Sequence, residues 1–516
     1  MKFNPRLSPL KFIKSLSTYN RKLSTPIQIN LPNGLKYFQP RGIFINNKFY
    51  ETDETIDVEN PSTESKITSI FTASNYDIDH AIESADLSFN KIWKNIEPLN
   101  KFKMLNKLAD LIELNSEILA SIESFNNGKT LNLSRDDVQL TINYFRSTAG
   151  YADKLNGRTI QSDSNNKYMN FTIKEPIGVC GQIIPWNFPL LMFAWKVAPA
   201  IITGNTTIIK PASSTPLSAL FLGSLIVQSG IPEGVINILP GSGTKCGDYI
   251  LNHPKIKKIS FTGSTKIGKE VMIKSAQNNL KKITLELGGK SPNIVLDDCN
   301  LSETLTNLTN GIFKNSGQIC SSGSRIYVQD TIYEKLLVDF KSHLENNVKV
   351  GDPFDESNYQ GAITNRKQYE TILSYIKIGK QTPGIKLLTG GDGNPYKKGY
   401  FIKPTVFYDV PQDCKLIKEE IFGPIVTISK FHSIDEVIKL ANDSEYGLGA
   451  GIQTTNISKA LKIAKELKSG TVWINTYNDF HEQVPFGGFK QSGFGKEMGE
   501  EALDSYTQIK AVRIRL

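Results

Sequence analysis

Apolar residues follow two rhythms along this chain. Between about residues 76 and 150 they recur at i, i+3 and i+4, in YDIDHAIESADLSFNKIW and in LNKLADLIELNSEILASIESF. That period predicts amphipathic helices, the second ending before the breaker NNGK. Ahead of them, GIFINNKFY predicts a short strand pair around a turn. From about residue 170 the texture changes to short β-branched runs: IGVCGQIIPWNFP, NTTIIKPASSTP, GVINILPGSG, KKISFTGSTKIGKEVM and KKITLELGGKSPNIVL. Helical stretches such as PLSALFLGSLIVQSG separate them, which predicts βαβ units and a parallel sheet. Ligands of such sheets gather at the carboxyl ends of the strands, where Pro, Asn, Gly and Ser stand here. A second α/β stretch over about 289–490 holds a cysteine loop, EEIFGPIV and PFGGFKQSGFGKEMG; the closing ALDSYTQIKAVRIRL predicts a terminal strand.

Length and charge refine this picture. The chain has 516 residues, more than one hydrophobic core usually serves, so two packed lobes are expected. Its net charge is +9, yet residues 1–50 carry nine bases and no acid, so the remainder is formally neutral. The basic balance therefore gives no support to a nucleic-acid surface. Residues 1–24, MKFNPRLSPLKFIKSLSTYNRKLS, are basic, Ser-rich and acid-free, with Leu7, Leu10, Ile13 and Leu16 forming a stripe if helical. This reads as a mitochondrial transit peptide, with a basic tail on a cytoplasmic protein as the alternative. No apolar run reaches the length of a membrane span. The five cysteines form no CxxC pair and the five histidines do not cluster, which argues against a disulfide framework and a metal site.

Four stretches could carry chemistry. In FTGSTKIG, Gly263 and Gly268 bracket a helix start, where backbone N–H groups can bind phosphate, although many glycine turns bind nothing. In NTTIIKPASSTP, no carboxylate stands where a dinucleotide site usually receives the ribose hydroxyls. Lys210, Ser213 and Ser214 take its place and could accept a 2′-phosphate; a surface turn is the other reading. In LELGGKSP, Glu286 is either a buried general base with a raised pKa or part of a solvated strand face. In NSGQICSSGSR, Cys320 stands among small residues that would let a carbonyl approach its thiolate, or is an inert loop cysteine.

Taken together, IPWNFPLLMFAWK, FTGSTKIG, LELGGKSP, SGQICSSGSR, EEIFGPI and PFGGFKQSGFGKEMG, in that order, closely resemble the aldehyde dehydrogenase superfamily from about residue 40 to the C-terminus. The non-acylating, acetaldehyde-type branch is the most similar. The resemblance implies an α/β fold: a Rossmann-like cofactor domain (25–157 and 177–288), a catalytic α/β domain (289–488) and a small oligomerisation strand element (158–176 and 489–516). It implies Cys320 as nucleophile, Asn187 as oxyanion donor with the Cys320 N–H, and Glu286 as the base that activates water. Lys196 and Glu497 match residues of a proton path. Gly263, Ser264 and Gly268 match pyrophosphate contacts, Lys210 reaches the adenosine ribose, and Glu420 holds the nicotinamide ribose with Phe422. Ile184, Trp186 and Leu287 join that cofactor set. Ser213 stands where many NAD-preferring members carry Glu, so NADP as well as NAD is expected. Phe188, Trp195, Ile319, Phe480 and Phe486 match the lining of the substrate tunnel, which favours small or medium aliphatic aldehydes. A homotetramer, no metal, and a mitochondrial matrix location complete the expectation. The rivals are a CoA-acylating or semialdehyde dehydrogenase on the same fold, and a non-catalytic structural protein.

Overall fold

A computed structural model describes residues 19–162 and 167–516. Most of the expected leader lies outside the described residues, but its last six, Tyr19–Ser24, are docked. The Tyr19 ring stacks on His80 at 3.9 Å and its hydroxyl donates to Asp77 at 2.7 Å. Arg21 bridges Asp77 and Asp53, at 3.1 and 2.7 Å.

Four helices follow the predicted strand pair of Ile43–Ile45 and Lys48–Tyr50: α1 (Asn75–Lys91), α2 (Pro98–Leu114), α3 (Ser116–Asn127) and α4 (Leu131–Ala149). A reciprocal capping box of Ser74 and Asp77 starts α1. The single helix predicted over LNKLADLIELNSEILASIESF is in fact the end of α2 and most of α3. Asn115 breaks it, its side-chain amide donating back to the Leu111 carbonyl at 2.8 Å. Helix α3 then runs two residues into NNGK and stops at Gly128, which is left-handed at φ 91°.

The β-branched runs become one eight-stranded sheet. Its five central strands are parallel, in the spatial order Lys282–Glu286, Lys258–Thr262, Val179–Ile183, Thr206–Lys210 and Ile236–Ile238. Helices α5 (Pro189–Ile202), α6 (Leu217–Ser229), α7 (Asp248–Asn252) and α8 (Thr265–Asn278) connect them. From Val179–Ile183 the chain first builds towards one edge, then returns to place Lys258–Thr262 on its other side. The sheet therefore has a topological switch point at the carboxyl ends of these two strands. Every residue of α5 is buried, as suits a helix apolar on all faces.

A second sheet of seven strands, all parallel except one edge pair, holds Pro292–Val295, Arg325–Gln329, Ile425–Phe431 and Gly449–Gln453 at its centre. The chain passes between the sheets through Leu287–Ser291. Tyr168–Pro176 pairs antiparallel with Thr507–Arg515 along its whole length, flanked by Thr159–Ile160. The segments of the expected oligomerisation element, 158–176 and 489–516, pair in two different sheets. Gly493–Phe494 pairs with Leu285–Glu286 on the edge of the first sheet, and Glu497 is buried. Gly493 and Gly495 pack against that edge; only Thr507 onward joins the third sheet.

Candidate active site

Five loops converge at the switch point. The first follows Val179–Ile183 and carries Trp186, Asn187 and Phe188 into α5, whose first residue is Pro189. The Asn187 side-chain amide donates to the Gln318 carbonyl at 2.8 Å, and its backbone carbonyl accepts from the Asn315 amide at 3.1 Å. The second loop follows Lys258–Thr262. Gly263 donates its N–H to the Glu286 carbonyl at 3.0 Å, and Ser264 caps α8.

Cys320 ends the third loop. Asn315, Ser316 and Gly317 all lie in the left-handed region, at φ 49°, 55° and 71°. Gly317 is required there: a Cβ would stand 2.2 Å from the Gly423 carbonyl oxygen. Gln318 locks the turn by donating to the Asn315 carbonyl and accepting from the Thr364 N–H. The loop thus turns sharply and delivers Cys320, half-buried, to the cavity that Asn187 also lines.

The fourth loop, Glu286–Lys290, explains its paired glycines. Glu420 accepts from the Gly289 N–H at 3.0 Å. A Cβ on Gly288 would stand 2.3 Å from the Glu420 carboxylate, and one on Gly289 would stand 2.3 Å from the Cys320 carbonyl. The fifth segment brings Phe480 and Phe486. Trp195, Phe480 and Phe486 lie within 5.2–6.0 Å of one another, ring to ring. Trp186 meets Phe422 edge-on at 5.3 Å.

One cavity of about 320 Å³ joins these groups. Its wall includes Cys320, Asn187, Phe188, Trp195, Ile319, Phe480 and Phe486, together with Trp186, Gly263, Ser264, Leu287, Glu420 and Phe422. Ile184, Lys196, Lys210, Ser213, Gly268, Glu286 and Glu497 stand outside that wall. Ile184 is buried and donates its N–H to the Lys210 carbonyl. Gly268 of α8 makes room for Leu287, which a Cβ there would meet at 2.5 Å. Lys210 is buried rather than on a surface turn. It donates to the Pro211 and Gly241 carbonyls at 2.9 and 2.8 Å, and Ser213 donates to the same Gly241 oxygen at 2.9 Å. Lys196 and Glu497 form a buried ion pair.

Electrostatics separates the titratable groups. Glu286 is buried, not on a solvated face, and neither carboxylate oxygen has a partner among the described residues. Burial and the nearby Glu497 push its pKa well above the usual range, against Lys196 and Lys496. Gly487 leaves it space: a Cβ there would stand 2.8 Å from Oε1. Burial, with Glu286 and Glu420 nearby, raises the Cys320 thiol to about 12; the N–H groups of Ser321 and Cys320 oppose this. Burial also raises Glu420 to about 7, opposed by the Gly289 N–H and by Lys290.

A cysteine beside a side-chain amide and backbone N–H donors can form a covalent adduct with a carbonyl and hold the resulting oxyanion. The same cavity has features that suit a dinucleotide: a helix N-terminus, a fixed carboxylate and an aromatic pair at a switch point. Residues 49–512 match the aldehyde dehydrogenase family model. The chain belongs to the aldehyde dehydrogenase family. The enzyme is thus an oxidoreductase acting on aldehydes. It is 47% identical over 494 residues to an aldehyde dehydrogenase of Davidiella tassiana, covering 95% of this chain and 99% of that one. It is also 47% identical over 479 residues to human retinal dehydrogenase 2, covering 92% of each. The structure superposes on the NAD+ complex of Bacillus cereus aldehyde dehydrogenase with a TM-score of 0.90, at 43% identity, over 93% of this chain and 97% of that one. Among the described residues, no group of three or more acids, histidines or cysteines is placed to hold a metal, and no helix is long and apolar enough to cross a membrane.

Sequence reasoning missed several groups at the site. Leu133, Leu140, Leu191 and Met192 extend the apolar wall from α4 and α5. Asn315 and Gln318 tie the cysteine loop to Asn187. Asn127 donates to the Trp186 carbonyl at 2.7 Å, although NNGK reads only as a helix breaker. The one signal available in advance was the pair of asparagines before a glycine, too common a turn sequence to single out.

Proposed function

We propose that the enzyme oxidises small and medium aliphatic aldehydes to carboxylates with NAD or NADP, through a covalent adduct on Cys320. The observation that carries this is the single cavity whose wall holds Cys320 and Asn187 together with Glu420, Phe422, Gly263 and Ser264. The Cys320 thiolate attacks the aldehyde carbon, and the new C–S bond leaves an oxyanion. Only one of the two Asn187 amide hydrogens is taken by Gln318, so the other and the Cys320 N–H can hold that oxygen. A bound nicotinamide would supply the hydride acceptor for this carbon, and loss of the hydride leaves a thioester on Cys320. Glu286 then takes a proton from water, the water oxygen attacks, and the C–S bond breaks to release the acid and the thiolate. Its raised pKa suits a base working near neutral pH. Since Glu286 lies just outside the cavity wall, its side chain must swing towards Cys320 for this step. Lys196 and Glu497 stand behind it and carry the proton away.

The fit of a dinucleotide rests on the fixed Glu420 carboxylate and on Gly288, whose lack of a side chain leaves that carboxylate its place. Glu420 and Phe422 hold the nicotinamide ribose, Gly263 and Ser264 the pyrophosphate, and Lys210 with Ser213 the adenosine end. The lack of a carboxylate at 213 removes one source of repulsion towards a 2′-phosphate. Glu286 also favours hydrolysis over acylation of CoA. The decisive test is a Cys320→Ser variant with each cofactor: oxidation should vanish while cofactor binding remains. Near-normal turnover in that variant would exclude the covalent route.

Size selection follows from the aromatic wall, which presents rings rather than a fixed guanidinium to the substrate. A panel from acetaldehyde to long-chain aldehydes and retinal should give the highest kcat/KM for the shorter aliphatic members; a preference for retinal would exclude the proposed range. For assembly, Met169, Ile173, Ile509 and Ile514 are exposed on the third sheet, which suits a homotetramer built through it. Light scattering at low protein concentration tests the mass. The leader suits import into the mitochondrial matrix. The docking of Tyr19 and Arg21 favours cleavage at or before residue 18 rather than at 24, which N-terminal sequencing of the imported protein would read.

A further inference from the structure

The junction of α3 and α4 sits under the cavity, and its polar side chains are turned inward. Asn126 is 3% and Asn127 0% exposed. Burying a primary amide is costly unless it is hydrogen-bonded, so its partners reveal its purpose. Asn127 donates to the Trp186 carbonyl at 2.7 Å, with the Asn187 carbonyl at 3.5 Å from the same nitrogen. Asn126 faces the other way, donating to the Ser214 carbonyl at 2.8 Å and accepting from the Leu217 N–H at 3.3 Å. The junction cannot slide: Gly128 accepts the Ala362 N–H at 2.9 Å, and a Cβ on it would stand 2.8 Å from Pro61.

The peptide unit that bears Asn187 is therefore held from two sides. Asn315 grips its carbonyl from the cysteine loop, and Asn127 grips the preceding carbonyl from the helical layer. We infer that Asn127 is a positioning residue for the oxyanion site: it fixes the Trp186–Asn187 backbone, and hence the direction of the Asn187 amide relative to Cys320. This rests on the reading of Asn187 as the oxyanion donor. Asn127 touches no reacting atom, so its effect must pass through Asn187. A displacement of about 1 Å in a catalytic group costs on the order of 100-fold in rate.

The test is a double-mutant cycle on aldehyde oxidation, followed at 340 nm in a single turnover. Asn127→Ala should lower the rate about 10- to 100-fold with aldehyde and cofactor saturating, and leave cofactor affinity by NADH fluorescence within about threefold. In the Asn187→Ala background the same change should cost less than about threefold, because the group it positions is already gone. Asn127→Ser retains a donor hydroxyl in less space and should recover part of the rate. Asn126→Ala is the control: it should combine additively with Asn187→Ala. Additive losses for Asn127→Ala and Asn187→Ala, or coupling as strong for Asn126→Ala, would overturn the inference and leave the role of Asn187 intact. Full activity in Asn187→Ala alone would overturn that role, and this inference with it.

Discussion

Gly289→Ala isolates how tightly the nucleophile is placed. Gly289 is not in the left-handed region, so alanine can adopt its backbone without strain, and the change adds one methyl group. That methyl would stand 2.3 Å from the Cys320 carbonyl oxygen, where ordinary contact begins at 3.4 Å. About 1 Å must be absorbed, and neither side gives easily. Gly289 is held by its bond to Glu420, and Gly288 by the Ser492 hydroxyl at 2.7 Å. On the other side, Tyr477 bonds the Ser321 carbonyl at 2.9 Å and Ser322 closes back on Ile319 at 3.1 Å. The displacement therefore passes into Cys320, and a shift of this size costs about 100-fold in rate. Gly288→Ala is the matched comparison. Its methyl meets the far end of the Glu420 side chain, which can rotate away and lose its hold on the Gly289 N–H. That variant should raise the cofactor KM and spare the reactivity of Cys320. The assay combines single-turnover absorbance at 340 nm with the rate of Cys320 alkylation by iodoacetamide, on protein whose melting curve shows it folded. A Gly289→Ala kcat within about threefold of wild type would refute the reasoning. So would a larger kcat loss in Gly288→Ala than in Gly289→Ala.

Two further variants probe the charged groups. Glu286→Gln should give one burst of reduced cofactor and little steady turnover, and its stability should depend on pH in a definite direction. The folded-state pKa of Glu286 lies above its ordinary 4.5, so the wild type loses stability as pH rises from there through the folded value. Glutamine carries no such penalty. The melting temperature of the variant should therefore gain on the wild type as pH rises above the ordinary carboxylate range, and a constant or shrinking difference would refute the burial argument. Ser213→Glu should shift the ratio of kcat/KM towards NAD by about tenfold or more, by returning a charge that repels a 2′-phosphate. An unchanged ratio would show that Lys210 and Gly241, not position 213, govern the adenosine end.

Much of the architecture was legible because it rests on periodicity and on glycine. The β-branched runs gave the strands of the first sheet, and the Pro, Asn, Gly and Ser residues after them fell at the carboxyl ends, as βαβ geometry requires. The break at Asn115 was not legible. An asparagine within an unbroken i, i+3, i+4 pattern looks helical until its amide turns back on the chain. The edge pairing of Gly493–Phe494 was equally hidden: two residues carry no strand period, and their partner strand lies some 200 positions earlier.

The site divides along the same physical line. The motifs that single out Cys320, Asn187, Glu286 and Glu420 contain glycines and prolines whose backbone demands are rigid. The structure shows what those demands are: Gly317 passes Gly423, Gly288 passes Glu420, Gly289 passes Cys320, and Gly487 passes Glu286. Each glycine marks a place where one functional segment crosses another at van der Waals limit, so the motifs record the crossings as much as the chemistry. Hydrogen bonds to backbone carbonyls leave no such trace. Asn127 and Asn315 grip carbonyls 59 and 128 positions away, and any residue but none in particular can supply a carbonyl. Their partners are therefore invisible in sequence. The candidate reactive groups stand in the motifs, while what holds their backbone in place resides largely in asparagines that read as turns.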